Sequence, residues 1–299
     1  MRKLLGFVMV LFATLLSHSA SQAKCLNMGI IPAEDPKAMM EQYKPMKEWL
    51  EKQIGSCIEY FTATDYLGVV EAMRSKKVDF AWFGPFSYVM AKERAGAEAF
   101  AVGVDPTGKT TYRSLILATP EVAQKLGITS PLVGEEGMKI LAQKLSNFKK
   151  QFHIIFVDPA STSGYAVPRY YMHIAGIDEK AFKKVGFIST HDAAELAVAK
   201  KIVDMAADSD ITYEKMVSQG KISKETNVIL WKSPELPGSP WAYRKDLSED
   251  LKKLREAFYK LPKDIAAGYG NIVGYRPVSD KDYTIIAEVK KVVDQLQKR

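Results

Sequence analysis

Ser161-Thr162-Ser163-Gly164 follows directly on Asp158-Pro159 and sets three side-chain hydroxyls in a row. The run before it, His153-Ile154-Ile155-Phe156-Val157, is apolar and β-branched and reads as a buried strand. The stretch after it, Tyr165 to Ile174, reads as a helix ended by Gly176. The hydroxyls therefore fall where a strand hands over to a helix N-terminus. The first turn of a helix carries unpaired N–H groups and a partial positive charge, which suits an oxyanion. Plain N-capping needs one Ser or Thr. Three in succession exceed that need and make a neutral cup for a tetrahedral anion.

The elements that must hold this cup alternate along the chain. Leu26–Ile31 reads as a strand, Ala38–Gln53 as a helix, Ile58–Thr62 as a strand, Tyr66–Ser75 as a helix, Val78–Trp82 as a strand, Phe86–Arg94 as a helix and Ala99–Val104 as a strand. The pattern restarts with Ile154–Val157, the helix after Ser163, Val185–Ile188, Ala193–Lys200 and Val203–Ala207; helices close the chain at Ser248–Tyr259 and Lys281–Gln297. Such alternation implies an α/β fold of mostly parallel sheets flanked by helices. Two units resemble each other: Thr64-Asp65-Tyr66 leads a helix toward Val78-Asp79, and Thr190-His191-Asp192 leads one toward Val203-Asp204. Two similarly built lobes follow, each pointing a helix N-terminus at a shared crevice beyond its strand ends. With crossings near 112–119 and 228–240, one lobe spans 24–112 and 240–299 and the other 113–239.

The 299 residues are 47% hydrophobic, enough for two cored lobes. Basic Met1-Arg2-Lys3, the apolar run Leu4–Leu16 and small residues at Ser21 and Ala23 read as a secretory signal peptide over 1–23, cleaved near Ala23. Lys24 before Cys25 argues against lipidation. The formal charge of +7 falls to +5 once Arg2 and Lys3 leave. It is spread along helices, and no nucleic-acid motif accompanies it. The two cysteines, Cys25 and Cys57, each precede a strand. If those strands are parallel neighbours, their starting ends bring the pair within disulfide range in an oxidising compartment; unpaired thiols are the alternative.

Two decoys are set aside. Gly103-Val104-Asp105-Pro106-Thr107-Gly108-Lys109-Thr110 fits the phosphate-loop pattern. That loop must open a helix, whereas Thr111–Leu117 reads as a strand, so the segment is expected to be a turn. Ser163, His191 and Asp208 or Asp210 suggest a hydrolytic triad, but no nucleophile elbow surrounds Ser163. Four histidines, one of them inside the leader, leave a metal site unsupported. The expectation is no catalysis, no metal and no cofactor.

With these residues in view, the chain resembles the periplasmic phosphonate/phosphite-binding proteins of ABC transporters. The resemblance rests on Thr64-Asp65-Tyr66, Val78–Gly84, Tyr112-Arg113-Ser114, Asp158–Gly164, His191, and Trp231-Lys232-Ser233-Pro234 followed by Pro237-Gly238. It implies a two-lobed periplasmic-binding-protein fold of type II, with the ligand cleft between the lobes. It implies Ser161, Thr162, Ser163, Tyr66, Tyr112 and His191 as donors to a phosphorus oxyanion. It also implies delivery to an inner-membrane permease with its ATPase. Members that hold aminoethylphosphonate use two carboxylates for the amine; the aligned positions here are Ile211 and Ser239. A buried ammonium without a partner is costly, so phosphite, methylphosphonate or phosphate is favoured over aminoalkyl phosphonates. Trp82, Phe83 and Phe86 offer an apolar wall or ordinary core packing. Asp208 or Asp210, entering the crevice after the strand, would select a protonated ligand. Two rival readings are a same-fold sensor for a membrane receptor and an exported phosphonate hydrolase.

Overall fold

The structure is a computed structural model and describes residues 25–246 and 250–297. The signal-peptide assignment lies outside the described residues, as does the expected helix start at Ser248. The chain opens with β1 (Leu26–Ile30), α1 (Pro36–Ile54), β2 (Ile58–Phe61), α2 (Tyr66–Arg74), β3 (Phe80–Trp82), α3 (Pro85–Ala95) and β4 (Ala97–Val104). It crosses through β5 (Thr111–Tyr112) and β6 (Ser114–Ala118) into α4 (Pro120–Leu126), β7 (Leu132–Val133), α5 (Gly134–Ser146) and β8 (His153–Phe156). There follow α6 (Val167–Ile174), β9 (Lys184–Phe187), α7 (His191–Ala199), β10 (Met205–Ser209) and α8 (Asp210–Ser218). The return runs through β11 (Val228–Lys232) and β12 (Leu236–Pro237) to β13 (Pro240–Arg244), α9 (Asp250–Tyr259), β14 (Gly274–Pro277) and α10 (Thr284–Gln297).

Among the described residues these strands build two six-stranded sheets, ordered β14-β4-β13-β3-β1-β2 and β7-β11-β6-β10-β8-β9. The first sheet thus draws strands from both halves of the chain. The sheets are mixed, where the alternation alone predicts mostly parallel ones. Parallel pairing holds for β2-β1-β3, for β10-β8-β9 and for β7-β11. Antiparallel pairs arise where chain arriving from the other sheet is inserted: β13 runs between β3 and β4, and β6 between β10 and β11. β14 adds an antiparallel edge on β4. Each sheet buries an apolar core: Phe80, Phe100, Trp241 and Phe258 in the first, Ile116, Phe156, Met205 and Trp231 in the second.

The parallel register pairs Leu26 with Ile58. The residues just before them are thereby side by side, and Cys25 and Cys57 are disulfide-bonded with Cα atoms 4.6 Å apart. The two repeat units correspond in detail. Asp79 accepts the Asn27 N–H at 2.8 Å and Asp204 accepts the His153 N–H at 2.7 Å, each bracing its strand to the next. Lys76 and Lys201 close α2 and α7 in the left-handed conformation. In the same alignment of units, Tyr66 and His191 are each the first residue of their helix, capped by Asp65 and Thr190.

The two crossings are zipped together, with Leu236 opposite Tyr112 and Pro237 opposite Thr111. Gly238 permits this: a Cβ there would lie 2.1 Å from the Thr110 carbonyl oxygen. The phosphate-loop look-alike is a turn, as expected. Asp105 accepts the N–H groups of Thr107 and Lys109 at 2.8 and 2.9 Å, Gly108 sits at φ +88°, and the chain goes on into β5.

Candidate ligand-binding site

The Ser-Thr-Ser run sits where β8 ends and a single wide turn, Thr162–Ala166, leads into α6. This turn is π-helical, a geometry that favours functional sites. Its first N–H groups, at Thr162 and Ser163, have no carbonyl within the turn to bond. Gly164 lets the turn lie flat on the strand; a Cβ there would meet Val157 Cβ and Cγ2 at 2.6 Å and Ser161 Oγ at 2.9 Å. Backbone donors occupy acceptor positions of the hydroxyls: Gly164 N–H donates to Ser161 Oγ at 3.1 Å, and Phe86 N–H donates to Thr162 Oγ1 at 2.8 Å. The hydroxyl protons are left to be given to something else. Ser114 Oγ fixes the turn from behind by donating to the Ser163 carbonyl at 2.7 Å.

Groups from both lobes converge on this turn. Tyr112, on the crossing strand, reaches the Thr162 and Ser163 hydroxyls, and burial pushes its phenol well up, so it stays a donor. Tyr66 Oη lies beside Ser161, is fully buried and has no partner in hydrogen-bonding geometry. His191 Nε2 stands 3.4 Å from Ser161 Oγ. All six residues are no more than 5% exposed. The lobes are tied across the same site: Tyr66 N–H donates to Asp158 Oδ2 at 3.3 Å, His191 N–H to the Ala33 carbonyl at 2.9 Å, and Lys215 pairs with Glu34 at 2.5 Å. The cleft is closed.

The remaining expected residues divide. Trp82 reaches the cleft and packs against Tyr269 with ring centroids 5.6 Å apart. Phe83 alternates to the other side of the chain and is wholly buried in the apolar core. Phe86 contributes its backbone N–H rather than a wall. Asp208 sits behind His191, not facing the cup: its Oδ1 meets His191 Nδ1 and accepts the Ser209 N–H. Its Oδ2 and Glu195 Oε1 have no donor of their own, and the two carboxyls interact. Two such groups in a dry interior share a proton. Asn227 Nδ2 holds the far Glu195 oxygen at 2.5 Å. Burial, partly opposed by Glu34, Glu195, Asp192 and Asp158, pulls His191 down to about 4. Asp210 opens α8, accepts the Arg113 N–H at 2.9 Å and is raised by burial to about 6.

The connectivity Ser161–His191–Asp208 is that of a hydrolytic triad, built on Ser161 instead of the Ser163 suggested by sequence. A histidine held near 4 is a poor base for a serine proton at neutral pH. Sequence reasoning missed Asp158 as an interlobe acceptor, although it heads the motif. It also missed Glu195, Asn227 and Tyr269. Tyr269 carries no pattern signal, because it sits in the irregular stretch Ala266-Ala267-Gly268-Tyr269-Gly270.

Two mixed sheets joined by paired crossings define a two-lobed periplasmic-binding-protein architecture. The family model described as ABC transporter, phosphonate, periplasmic substrate-binding protein matches residues 28–283, and the chain belongs to that family. It is 34% identical over 246 residues to the phosphonates-binding periplasmic protein of Escherichia coli K12, covering 80% of this chain and 67% of that one. It is 33% identical over 250 residues to a phosphate-import protein of Mycolicibacterium smegmatis, covering 78% and 70%. Among solved structures it superposes with TM-score 0.77 and 31% identity on a binding-protein component of an ABC phosphonate transporter from Pseudomonas aeruginosa, covering 91% and 87%. Family members are substrate-binding transport proteins of the periplasm. Among the described residues no helix is long and apolar enough to cross a membrane.

Proposed function

We propose that the protein captures a small phosphorus oxyanion, namely phosphite, methylphosphonate or phosphate, and hands it unchanged to an inner-membrane ABC permease with its ATPase. The observation that carries this reading is the convergence of Tyr66, Tyr112, Ser161, Thr162, Ser163 and His191, from both lobes, on one buried point. The five hydroxyls are neutral donors and the His191 ring joins them when a proton is shared at Nε2, so they grip an anion only when brought together, and the ligand shifts the population toward the closed form. Residues 24–112 with 240–299 move as one unit against 113–239, hinged at the β5–β12 ladder. The leader over 1–23 is removed near Ala23 on export to the periplasm.

Aminoalkyl phosphonates are disfavoured because the two aligned amine-binding positions are Ile211 and Ser239, which border the cleft and cannot pair with an ammonium. Relatives named for phosphonates and for phosphate support the element and not the substituent. The test is calorimetric titration of protein unfolded, stripped of ligand and refolded, against phosphite, methylphosphonate, phosphate and aminoethylphosphonate. Binding of one or more of the first three, with the amine compound weakest, is the expected result. If aminoethylphosphonate binds tightest, the reading of Ile211 and Ser239 fails; if none binds, the oxyanion reading fails.

A further inference from the structure

The segment between α9 and β14 belongs to the lobe of the chain ends yet reaches across the cleft. It is held at home by Gln42 Nε2, which donates to the Gly268 carbonyl at 2.8 Å, and by Tyr275 Oη, which donates to the Ala267 carbonyl. From this anchored loop Tyr269 projects onto the other lobe. Its hydroxyl hydrogen-bonds Ser209 Oγ at 2.6 Å and Thr212 Oγ1 at 2.5 Å, at the β10–α8 junction. Its ring lies 5.7 Å from the His191 ring and 5.6 Å from the Trp82 ring, centroid to centroid. Beyond it is a cavity of about 760 Å³ bordered by Tyr269, Trp82, Tyr112, Ile211, Ser239 and Ile272. The Ser161–Ser163 hydroxyls and His191 do not border that cavity. Tyr269 therefore has the oxyanion cup on one side and a space large enough for a ring-sized group on the other.

We propose that Tyr269 is the residue that sets the size limit on the ligand's phosphorus substituent. Its ring closes the cup against the cavity, so hydrogen, hydroxyl or methyl on phosphorus fits and a bulkier group is turned away. The ring itself sets the limit, while its hydroxyl bonds to Ser209 and Thr212 help hold the cleft shut on any ligand. This deepens the phosphorus-oxyanion reading and rests on it. Specificity here is built by an obstacle in front of available space, not by absence of space.

The test titrates refolded wild type and the Tyr269→Ala and Tyr269→Phe variants with methylphosphonate, ethylphosphonate and phenylphosphonate. Wild type is expected to favour methylphosphonate over phenylphosphonate by about a hundredfold, the upper range for shape discrimination in an apolar pocket. Tyr269→Ala joins cup and cavity, so that ratio falls at least about tenfold. Tyr269→Phe keeps the ring and loses those hydroxyl bonds, so all three ligands weaken together and the ratio stays. Equal binding of methyl- and phenylphosphonate by wild type overturns the proposal while leaving the oxyanion reading intact, and this arm needs no variant. An unchanged ratio in Tyr269→Ala, or a collapsed one in Tyr269→Phe, overturns it as well. A wild type that binds no phosphonate removes the parent reading and this one with it.

Discussion

Thr162 is the cup hydroxyl that accepts a backbone N–H from across the cleft, and Thr162→Val removes that hydroxyl at nearly constant shape. Two losses follow. The Phe86 N–H, paired with Thr162 Oγ1 at 2.8 Å in the closed form, is left buried without an acceptor, which costs about 1–3 kcal/mol. The hydrogen bond from the hydroxyl to an anionic ligand oxygen disappears, worth about 1.5–3 kcal/mol because one partner is charged. Together these weaken binding by roughly 2.5–6 kcal/mol, or about 60-fold to 2 × 10⁴-fold in Kd. In an open cleft the Phe86 N–H is hydrated, so the ligand-free protein should melt within a degree or two of wild type. Calorimetry with phosphite and methylphosphonate, paired with scanning calorimetry of the ligand-free protein, reads both. Thr162→Ser supplies the control, since it keeps the hydroxyl and should recover most of the affinity. A Thr162→Val protein that binds within threefold of wild type, or a serine variant as weak as valine, refutes the argument.

Three further outcomes are expected. Reducing the Cys25–Cys57 bond, which spans a sequence separation of 32, removes about 3.7 kcal/mol on a chain-entropy basis; at about 2–4 °C per kcal/mol that is a fall of roughly 7–15 °C in Tm, and an unchanged melt with and without reductant contradicts it. Tyr66→Phe deletes a buried hydroxyl that no protein group satisfies, so affinity should drop about 10- to 150-fold while the ligand-free Tm holds or rises; a parallel loss of both would show that the hydroxyl serves the fold. His191 is held to about 4 by burial, so its neutral ring must gain a proton, or meet one carried by the ligand, when Nε2 contacts an oxyanion. Affinity should therefore decline as pH rises and the ligand sheds its second proton. Asp208→Asn replaces the carboxyl that meets His191 Nδ1 with an amide that supports a charged ring less well, so the decline should begin at lower pH; an identical affinity–pH profile excludes Asp208 from the linkage.

Much of the architecture was legible because its signals are local. The apolar run His153–Val157, the capping residues Asp65 and Thr190 and the repeated Val-Asp strand openings each depend on a few adjacent residues, and the elements they mark are present. The mixed strand order was not, since the pairing of β13 with β3 and β4 is set by where a distant segment returns and leaves no trace in periodicity. Within the site, the hydroxyl run announced itself by exceeding what one cap needs. Its place after the strand suggests that Asp208 enters the crevice; strand alternation turns it instead to the back of His191, where Glu195 four residues along α7 meets it. The spacing of His191 and Glu195 was available in the sequence, but their contact with β10 was not. Tyr269 was invisible, because an aromatic in a glycine-flanked irregular segment has no pattern to betray which lobe it touches.

The distribution of polar groups explains how the cleft could take an anion although no Lys or Arg is among the six cup residues. The hydroxyl donors in the cup are neutral, and two of them are braced by a backbone N–H that consumes an acceptor site: Gly164 N–H on Ser161, Phe86 N–H on Thr162. The interlobe bonds from Tyr66 N–H to Asp158 and from His191 N–H to Ala33 use the first N–H groups of two helices related by the internal repeat. These contacts favour closure on their own, but closing on an empty cup also buries the Tyr66 hydroxyl unpaired, a penalty of about 1–3 kcal/mol. A tetrahedral oxyanion turns that penalty into a gain and engages both helix N-termini at once. The same geometry therefore makes the closed form poor without ligand and favourable with it, which is the differential affinity that any ligand-driven population shift requires.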